Sequence, residues 1–539
     1  MNPQRTDEGR RLTGGQRLLL FATGAVAMGI ALVGGRDLTM HESVLSQSSR
    51  EMLAANEWLT PTSGGRPWLE RPPLPQWIVM LTGKIAGGLE SEAAVRFGSV
   101  AAGMLAAFLT AGIGARLFGA TVGLVAGLML ATALEFTRYS WLAEQDIYLA
   151  CLVTLSFYWL VRSEFGPQVG ATPTGIFAPR PWPYFAFFVS LALTHLVKGL
   201  LFGPAMVGIP LVLWLLWEWN AARWRRLVWA PGVAACLLIA AAWPAAAYFA
   251  HPGIADLWRI DLLGRVHGTY AAINEPWWYY WVALPACLAP WTPLAFFGLW
   301  ASRRKLRTPG GAGLRLLWCW AIALPVALGL ARGKHHHYLL HCMPAWMLLA
   351  SWTLVRLCSA LGAVRTQWSW NHPAGRLRRL AYGGLAAITA AYAGGYVFQA
   401  RFKDRGRFDV AFLKSVPERT PADRPLVCCV DDGSLDFFRT LFYLRRAELL
   451  HNLTFLREAR FAAASEVYVV TLGRHEKALK DFGEVETLDR SEKSRWEKGE
   501  AERLTLFRLR FHPAVARTAD RPYITPAQAM YRAEGPFLR

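Results

Sequence analysis

Eleven stretches of this chain are apolar and long enough to cross ~30 Å of hydrocarbon, which removes most soluble folds from consideration. They cover 18–35, 97–115, 117–134, 143–161, 183–198, 199–217, 227–250, 277–300, 314–331, 338–357 and 380–400. A bilayer core leaves the backbone no water to bond, so each run is read as a helix. The junctions at Phe118-Gly119 and Lys198-Gly199 are short enough to make those neighbours hairpins. The first run, Leu18 to Gly35, lacks a small-residue cleavage site and reads as a retained helix rather than a signal peptide.

The charge pattern orients these helices. With the N-terminus inside, one side receives Arg10, Arg11 and Arg17, then Arg116, Arg162, Arg223, Arg225 and Arg226. The same side receives Arg303, Arg304, Lys305 and Arg307, and finally Arg376, Arg378 and Arg379. That is the positive-inside pattern at every turn. The net charge of +20 is therefore read as membrane topology, and no nucleic-acid partner is inferred. An odd number of spans puts everything after Ala400 outside.

The same parity gathers a second set of ionisable groups on the outer face. Glu42, Glu70 and Arg71 lie in the first outer loop, with Asp146 at the start of the fourth span and Lys198 at the end of the fifth. Arg259, Asp261, Arg265 and His267 precede Pro276, and Lys334 to His337 precede the tenth span. Any one of these reads simply as a snorkelling or solvated helix end. Six segments delivering such groups to one face point to a site, because charge at membrane depth is costly.

The outer loop itself has a defined layout. Ser43 to Asn56 reads as a short amphipathic helix, a Gly/Pro turn follows, and Glu70-Arg71 is pinned by Pro72 and Pro73. Consecutive prolines fix φ and forbid a helix there. A plain connector with solvated charges is the alternative reading of this loop. The tail from 401 is charge-rich, with strand-like runs at Pro425 to Val430 and Glu466 to Leu472 around a helix over Asp432 to Arg446. It reads as a small α/β domain. Asp431-Asp432-Gly433-Ser434 fits a helix cap, and no glycine-rich nucleotide loop occurs in context. The eight cysteines show no metal-ligand or disulfide spacing.

Several outer-face motifs resemble those of the aminoarabinose-transferase and protein O-mannosyltransferase superfamily, membrane glycosyltransferases of the GT-C fold. The residues are Arg-Glu-Met-Leu at 50–53, Trp58-Leu59 with Pro61, and Trp68 to Leu74 with Trp77. Arg138 to Asp146, Thr194 to Gly199, Leu263-Gly264-Arg265 with Glu275 to Tyr280, and Lys334, His337, Tyr338 and Pro344 follow in family order. The chain departs from the pattern at His41, which leaves Glu42 the only carboxylate of the usual acidic pair, and at Val44 and Arg71.

The resemblance implies a polytopic α-helical membrane protein of the GT-C fold, with about 11 transmembrane helices and a C-terminal small α/β extracytoplasmic domain. The expected divisions are a cytoplasmic tail (1–17), a transmembrane domain (18–400, first outer loop 36–92) and a periplasmic domain (401–539). The expected setting is the bacterial inner membrane. It further implies a polyprenyl-phosphate-sugar donor and a hydroxyl acceptor on lipid, glycan or protein, with inversion at the anomeric centre. Membrane lipids are the remaining partners.

That reaction needs cations where the lipid phosphate departs and a base for the acceptor hydroxyl. Arg71, Lys198, Arg265 and Lys334 are the candidates for the phosphate. Glu42 is the first candidate for the base and Asp146 the second. Glu70, His337, Tyr338 and Trp277 are candidates for substrate contacts, although Trp58, Trp68, Trp77, Trp277, Trp278 and Tyr279 also fit an interfacial aromatic belt. Adjacent histidines at 335–337 point different ways, so they do not form one metal site. The expectation is no required cofactor, with room for a single divalent cation at Glu70 and a histidine. A transporter of lipid-linked sugars, or a lipid-binding protein whose chemistry has lapsed, are the competing readings. The first would call for inverted repeats and midplane charges, and the sequence offers no repeat and few such charges.

Overall fold

The computed structural model describes residues 11–63, 66–166, 169–199, 202–259, 275–331, 333–367, 374–403, 410–429, 436–450, 452–461, 464–492, 499–513 and 515–520. They form two compact units. One comprises Met1–Val33, Arg71–Pro75 and Arg96–Tyr396; the other comprises Gly34–Glu70, Gln76–Val95 and Val397–Arg539. The first outer loop is thus mostly part of the same unit as the tail.

Helices α1 (Gly14–Ala27), α2 (Met40–Ala55), α3 (Leu74–Ala86) and α4 (Glu92–Phe118) open the chain. Then come α5 (Ala120–Ala131), α6 (Leu134–Ser140), α7 (Gln145–Glu164), α8 (Trp182–Lys198) and α9 (Phe202–Glu218). They are followed by α10 (Ala221–Leu227), α11 (Ala230–Ala250), α12 (Tyr279–Leu288) and α13 (Thr292–Ser302). The helical run closes with α14 (Ala312–Gly329), α15 (Met343–Gln367) and α16 (Ala374–Phe398).

In the helical unit α7 packs along α8, α8 along α11, α5 along α15 and α9 along α14. Glycines make the two expected hairpins. Gly119, at φ +106°, separates α4 from α5, and a Cβ on Gly123 would lie 2.2 Å from Ala111 O. Gly199, at φ +78°, ends α8, and a Cβ on Gly203 would lie 2.1 Å from Thr194 O. Only glycine takes such a backbone angle at 119 and 199, or such an approach at 123 and 203, without strain.

Among the described residues three helices are long and apolar enough to cross a membrane: Glu92–Phe118, Ala230–Ala250 and Pro309–Gly329. The count becomes five if each of two bent pairs is one span. The expected eleven are therefore not all met by single straight helices, for local reasons. Helix α1 has 14 residues, about 21 Å of rise against ~30 Å of hydrocarbon. The run at 277–300 breaks into α12 and a second helix bent 114° from it. Pro290 and Pro293, which lack an N–H, stand at that break. Helix α5 likewise meets α6 at 66°.

The second unit is built on a sheet that the tail's apolar runs dictate. Helix α17 (Val410–Arg419) precedes β3 (Leu426–Cys429), helix α18 (Asp436–Leu444) and β4 (Glu448–Leu449), after the small β1 (Thr62–Ser63) and β2 (Arg66–Pro67) of the loop. Strands β5 (Glu466–Leu472), β6 (Gly483–Arg490) and β7 (Leu504–Phe511) complete a five-stranded sheet of order β4-β3-β5-β7-β6. Strand β3 is parallel to β4 and β5, while β7 is antiparallel to β5 and β6. Val427, Val467, Val469, Phe507 and Leu509 are fully buried at its centre. The expected α/β tail is present; the β6–β7 pair is an addition, because the charged and largely exposed β6 carries no apolar run.

Helix α2 anchors this unit's loop. Thr39 caps it: its hydroxyl accepts from the Glu42 N–H, while Glu42 Oε2 accepts from the Thr39 N–H at 2.8 Å. This reciprocal box starts the helix three residues earlier than the sequence suggests, and Asn56 ends it in a left-handed conformation. The helix is more than amphipathic, since Ser43, Ser46, Gln47, Ser48, Ser49 and Arg50 are all buried. Arg50 accounts for much of that. Its guanidinium donates to Phe442 O at 2.6 Å, Leu441 O at 3.2 Å and Arg445 O at 3.3 Å, satisfying carbonyls at the end of α18. Trp68 meets Phe438 edge-on with ring centroids 5.0 Å apart.

Candidate active site

Two antiparallel helix ends generate the centre of the site in the helical unit. Asp146 lies in the first turn of α7 and Lys198 in the last turn of α8. Each charge sits where the helix dipole favours it. Lys198 Nζ donates to Asp146 Oδ1, and both side chains are under a tenth exposed. A short 3₁₀ segment, His336–His341, joins them from between α14 and α15. Its His337 Nε2 lies 3.7 Å from Asp146 Oδ2. Lys198 Nζ also stands 4.4 Å from the Tyr338 ring centroid and 5.1 Å from that of Phe202. An ammonium held over two aromatic faces beside one carboxylate is a desolvated, oriented cation.

A further segment joins this group. Arg71 donates to Gln145 Oε1 at 2.9 Å, next in sequence to Asp146. A Cβ on Gly199 would lie 3.7 Å from Pro72 Cδ, so Pro72 packs at the tip of the α8 hairpin. The sequence-derived residues Asp146, Lys198, Arg71, His337 and Tyr338 are therefore assembled in one region.

Other candidates are placed differently. Lys334 Nζ donates to Glu275 O at 2.7 Å and to Ala331 O, so two of its three donors hold the turn before the 3₁₀ segment. Burial lowers its pKa from the ordinary lysine value, with Glu275 acting in the opposite direction. Trp277 is exposed and meets Trp278 edge-on. Arg265 lies outside the described residues. Glu42 and Glu70 belong to the second unit. Glu42 is fully buried, and its Oε2 accepts from Arg36 at 3.1 Å as well as from the Thr39 N–H. Glu70 is half-buried in the turn before Arg71. Among the described residues no group of three or more His, Cys, Asp or Glu is arranged to hold a metal ion.

Sequence reasoning missed three contributors. His341 is completely buried, and neither ring nitrogen has a hydrogen-bond partner among the described residues. Its signal was the spacing of four from His337. Glu135 pairs with His336 Nε2 at 2.9 Å and with Arg138 at 3.6 Å. It was hidden at the edge of an apolar run. Gln145, which receives Arg71, carries no charge and so drew no notice.

The family model described as Dolichyl-phosphate-mannose-protein mannosyltransferase matches residues 70–245. The undecaprenyl phosphate-alpha-4-amino-4-deoxy-L-arabinose arabinosyl transferase of Pseudomonas aeruginosa (strain UCBPP-PA14) is 28% identical over 327 residues, 58% of this chain and 55% of the relative. The protein of that name from Edwardsiella ictaluri (strain 93-146) is 28% identical over 357 residues, 64% of this chain and 60% of its own length. The chain thus spans little more than half the length of these curated relatives. Among solved structures, ArnT from Cupriavidus metallidurans bound to undecaprenyl phosphate is similar with a TM-score of 0.71 and 19% identity, covering 94% of this chain and 99% of that one. The Archaeoglobus fulgidus oligosaccharyltransferase tethered with an acceptor peptide is similar at a TM-score of 0.52 and 11% identity, over 89% and 74% of the two chains. These likenesses concern the fold: the chain has the GT-C fold of these solved structures, the fold that the resemblance of its outer-loop motifs implies.

Proposed function

We propose that this protein transfers a sugar from a polyprenyl-phosphate-linked donor to a hydroxyl acceptor at the outer face of the membrane. The observation that carries the reading is the Lys198–Asp146 pair, set over aromatic faces and flanked by Arg71. The acceptor oxygen attacks the anomeric carbon as the bond to the phosphate oxygen breaks, and the departing lipid phosphate takes the electron pair. Lys198 and Arg71 offset the charge it gains; Arg supplies a planar fork matched to phosphate oxygens. Direct attack inverts the anomeric centre. The acceptor proton goes to a carboxylate. In this reading Glu42 is the first choice for that base and Asp146 the second, and Asp146 also orients Lys198.

The similarity to arabinosyl transferases makes undecaprenyl phosphate-aminoarabinose the first donor to test. The orientation, with the N-terminus inside and the sheet-bearing tail in the periplasm of a bacterial inner membrane, rests on the positive-inside pattern. Native mass spectrometry of the detergent-purified full chain, with added undecaprenyl phosphate, tests the donor site. A lipid adduct lost on Lys198→Ala supports the reading. No adduct in the wild type removes its premise. The reading assigns charge neutralisation to side chains, so EDTA is expected to leave transfer unchanged. Activity lost to EDTA and restored by Mn²⁺ would instead place a cation in the site.

A further inference from the structure

The end of the helical unit opposite Asp146 carries a cavity of ≈ 930 Å³ that the transfer reaction does not use. Sixteen residues of α7 separate Asp146 from Arg162 at its rim, about 24 Å of helix rise. Four arginines line it, from three helices and the segment before α1: Arg11, Arg17, Arg116 and Arg162. No aspartate or glutamate is among its described lining residues. Glu164, two residues from Arg162, faces another network. It accepts from Arg223 Nε at 3.2 Å, from Arg226 Nε at 3.0 Å and from the Tyr184 hydroxyl at 2.9 Å. The charged side chains of the described lining are therefore all cationic.

Its remaining wall is of a different character. Phe108, Leu109, Leu155 and Trp159 form an apolar side continuous with the flank of α4, where Leu105 is 48% exposed. Tyr158 and Ser163 add hydroxyls between the two surfaces, and the Tyr158 hydroxyl already receives Arg162 at 3.1 Å. Topology alone requires arginines in the loops of this face. It does not require them to converge on one concavity of ligand size with a greasy flank. A group with an anionic head and an apolar tail satisfies both walls at once, and basic pockets between membrane helices take lipid phosphates in this way.

We infer that the cavity lined by Arg11, Arg17, Arg116 and Arg162 binds the phosphate headgroup of an anionic glycerophospholipid from the inner leaflet. The acyl chains lie along Leu105, Phe108 and Leu155, and the bound lipid fixes the inner ends of α1, α4 and α7. This site is separate from the donor site and does not depend on the chemistry proposed there.

The test uses the full chain in detergent with dioleoyl phosphatidylglycerol, dioleoyl phosphatidylcholine or inorganic phosphate added. Thermal midpoints and lipid adducts by native mass spectrometry are both read. Phosphatidylglycerol is expected to raise the midpoint by several degrees over phosphatidylcholine and to stay bound as an adduct. Arg17→Gln/Arg162→Gln is expected to lose both effects, while its midpoint in phosphatidylcholine stays at the wild-type value. Both side chains are exposed, so the fold tolerates the change. An equal response to the two lipids, or an unchanged preference in the double variant, overturns the inference. A shift from inorganic phosphate as large as that from phosphatidylglycerol overturns the lipid assignment in favour of a soluble anion.

Discussion

Lys198 and Asp146 close the ends of two antiparallel helices with one buried ion pair, although 52 residues separate them in the chain. Breaking a buried pair by removing one partner costs about 3–5 kcal/mol, because the other charge is left uncompensated. Lys198→Met and Asp146→Asn are each expected to lower the thermal midpoint. The double variant should recover much of the loss, since it buries no orphan charge. Transfer should remain absent in all three, and a double variant no more stable than either single one would remove the pairing as the cause.

Glu42 carries a structural task beside a chemical one. Glutamine preserves the capping box with Thr39, whereas alanine does not. Glu42→Gln keeps that box but removes the charge that buried Arg36 faces, so it is expected to lower stability by up to about 3–5 kcal/mol and to lose 10²–10⁴-fold, roughly, in turnover. Glu42→Ala is expected to lose about 1 kcal/mol more. Full transfer activity in Glu42→Gln would move the base to Asp146.

Arg50 shows why a motif residue need not touch substrate. Its guanidinium satisfies three carbonyls near the end of α18, each a charge-assisted bond of about 1.5–3 kcal/mol. Arg50→Lys can serve only part of that set. A fall of about 2–4 kcal/mol in the stability of the sheet-bearing unit is expected, read by proteolysis of the tail. An unchanged proteolysis rate would argue against the capping role.

His337 makes stability depend on acid. Burial holds its imidazole down at about 2, with Lys198, His335 and His336 adding to the effect and Asp146 opposing it. The unfolded chain takes up that proton below its ordinary value near 6.5, while the folded protein stays neutral there. The unfolded state thus binds more protons as pH falls, and stability is lost from about pH 6.5 downward, by at most about 2 kcal/mol at pH 5. The drop in thermal midpoint between pH 7.5 and pH 5 is expected to be smaller in His337→Gln. An identical drop would assign the acid sensitivity elsewhere.

The sequence by itself determined the helical membrane class, the glycine hairpins, the α/β tail and most of the charged groups. These follow from local physics: hydrocarbon thickness sets the length of an apolar run, Gly199 permits a φ that other residues resist, and alternation marks a strand. Tertiary structure alone decided which of those groups meet. Asp146, Lys198, Arg71 and His337 are drawn together by helix ends far apart in the chain. Lys334 is spent on backbone carbonyls, and Arg50 is turned to the end of α18. Nor does a hydropathy run reveal that prolines bend the stretch at 277–300, or that buried His341 stands behind the site. An apolar pattern specifies that a segment is buried, but its partners depend on packing between segments, and that information is not local to any one of them.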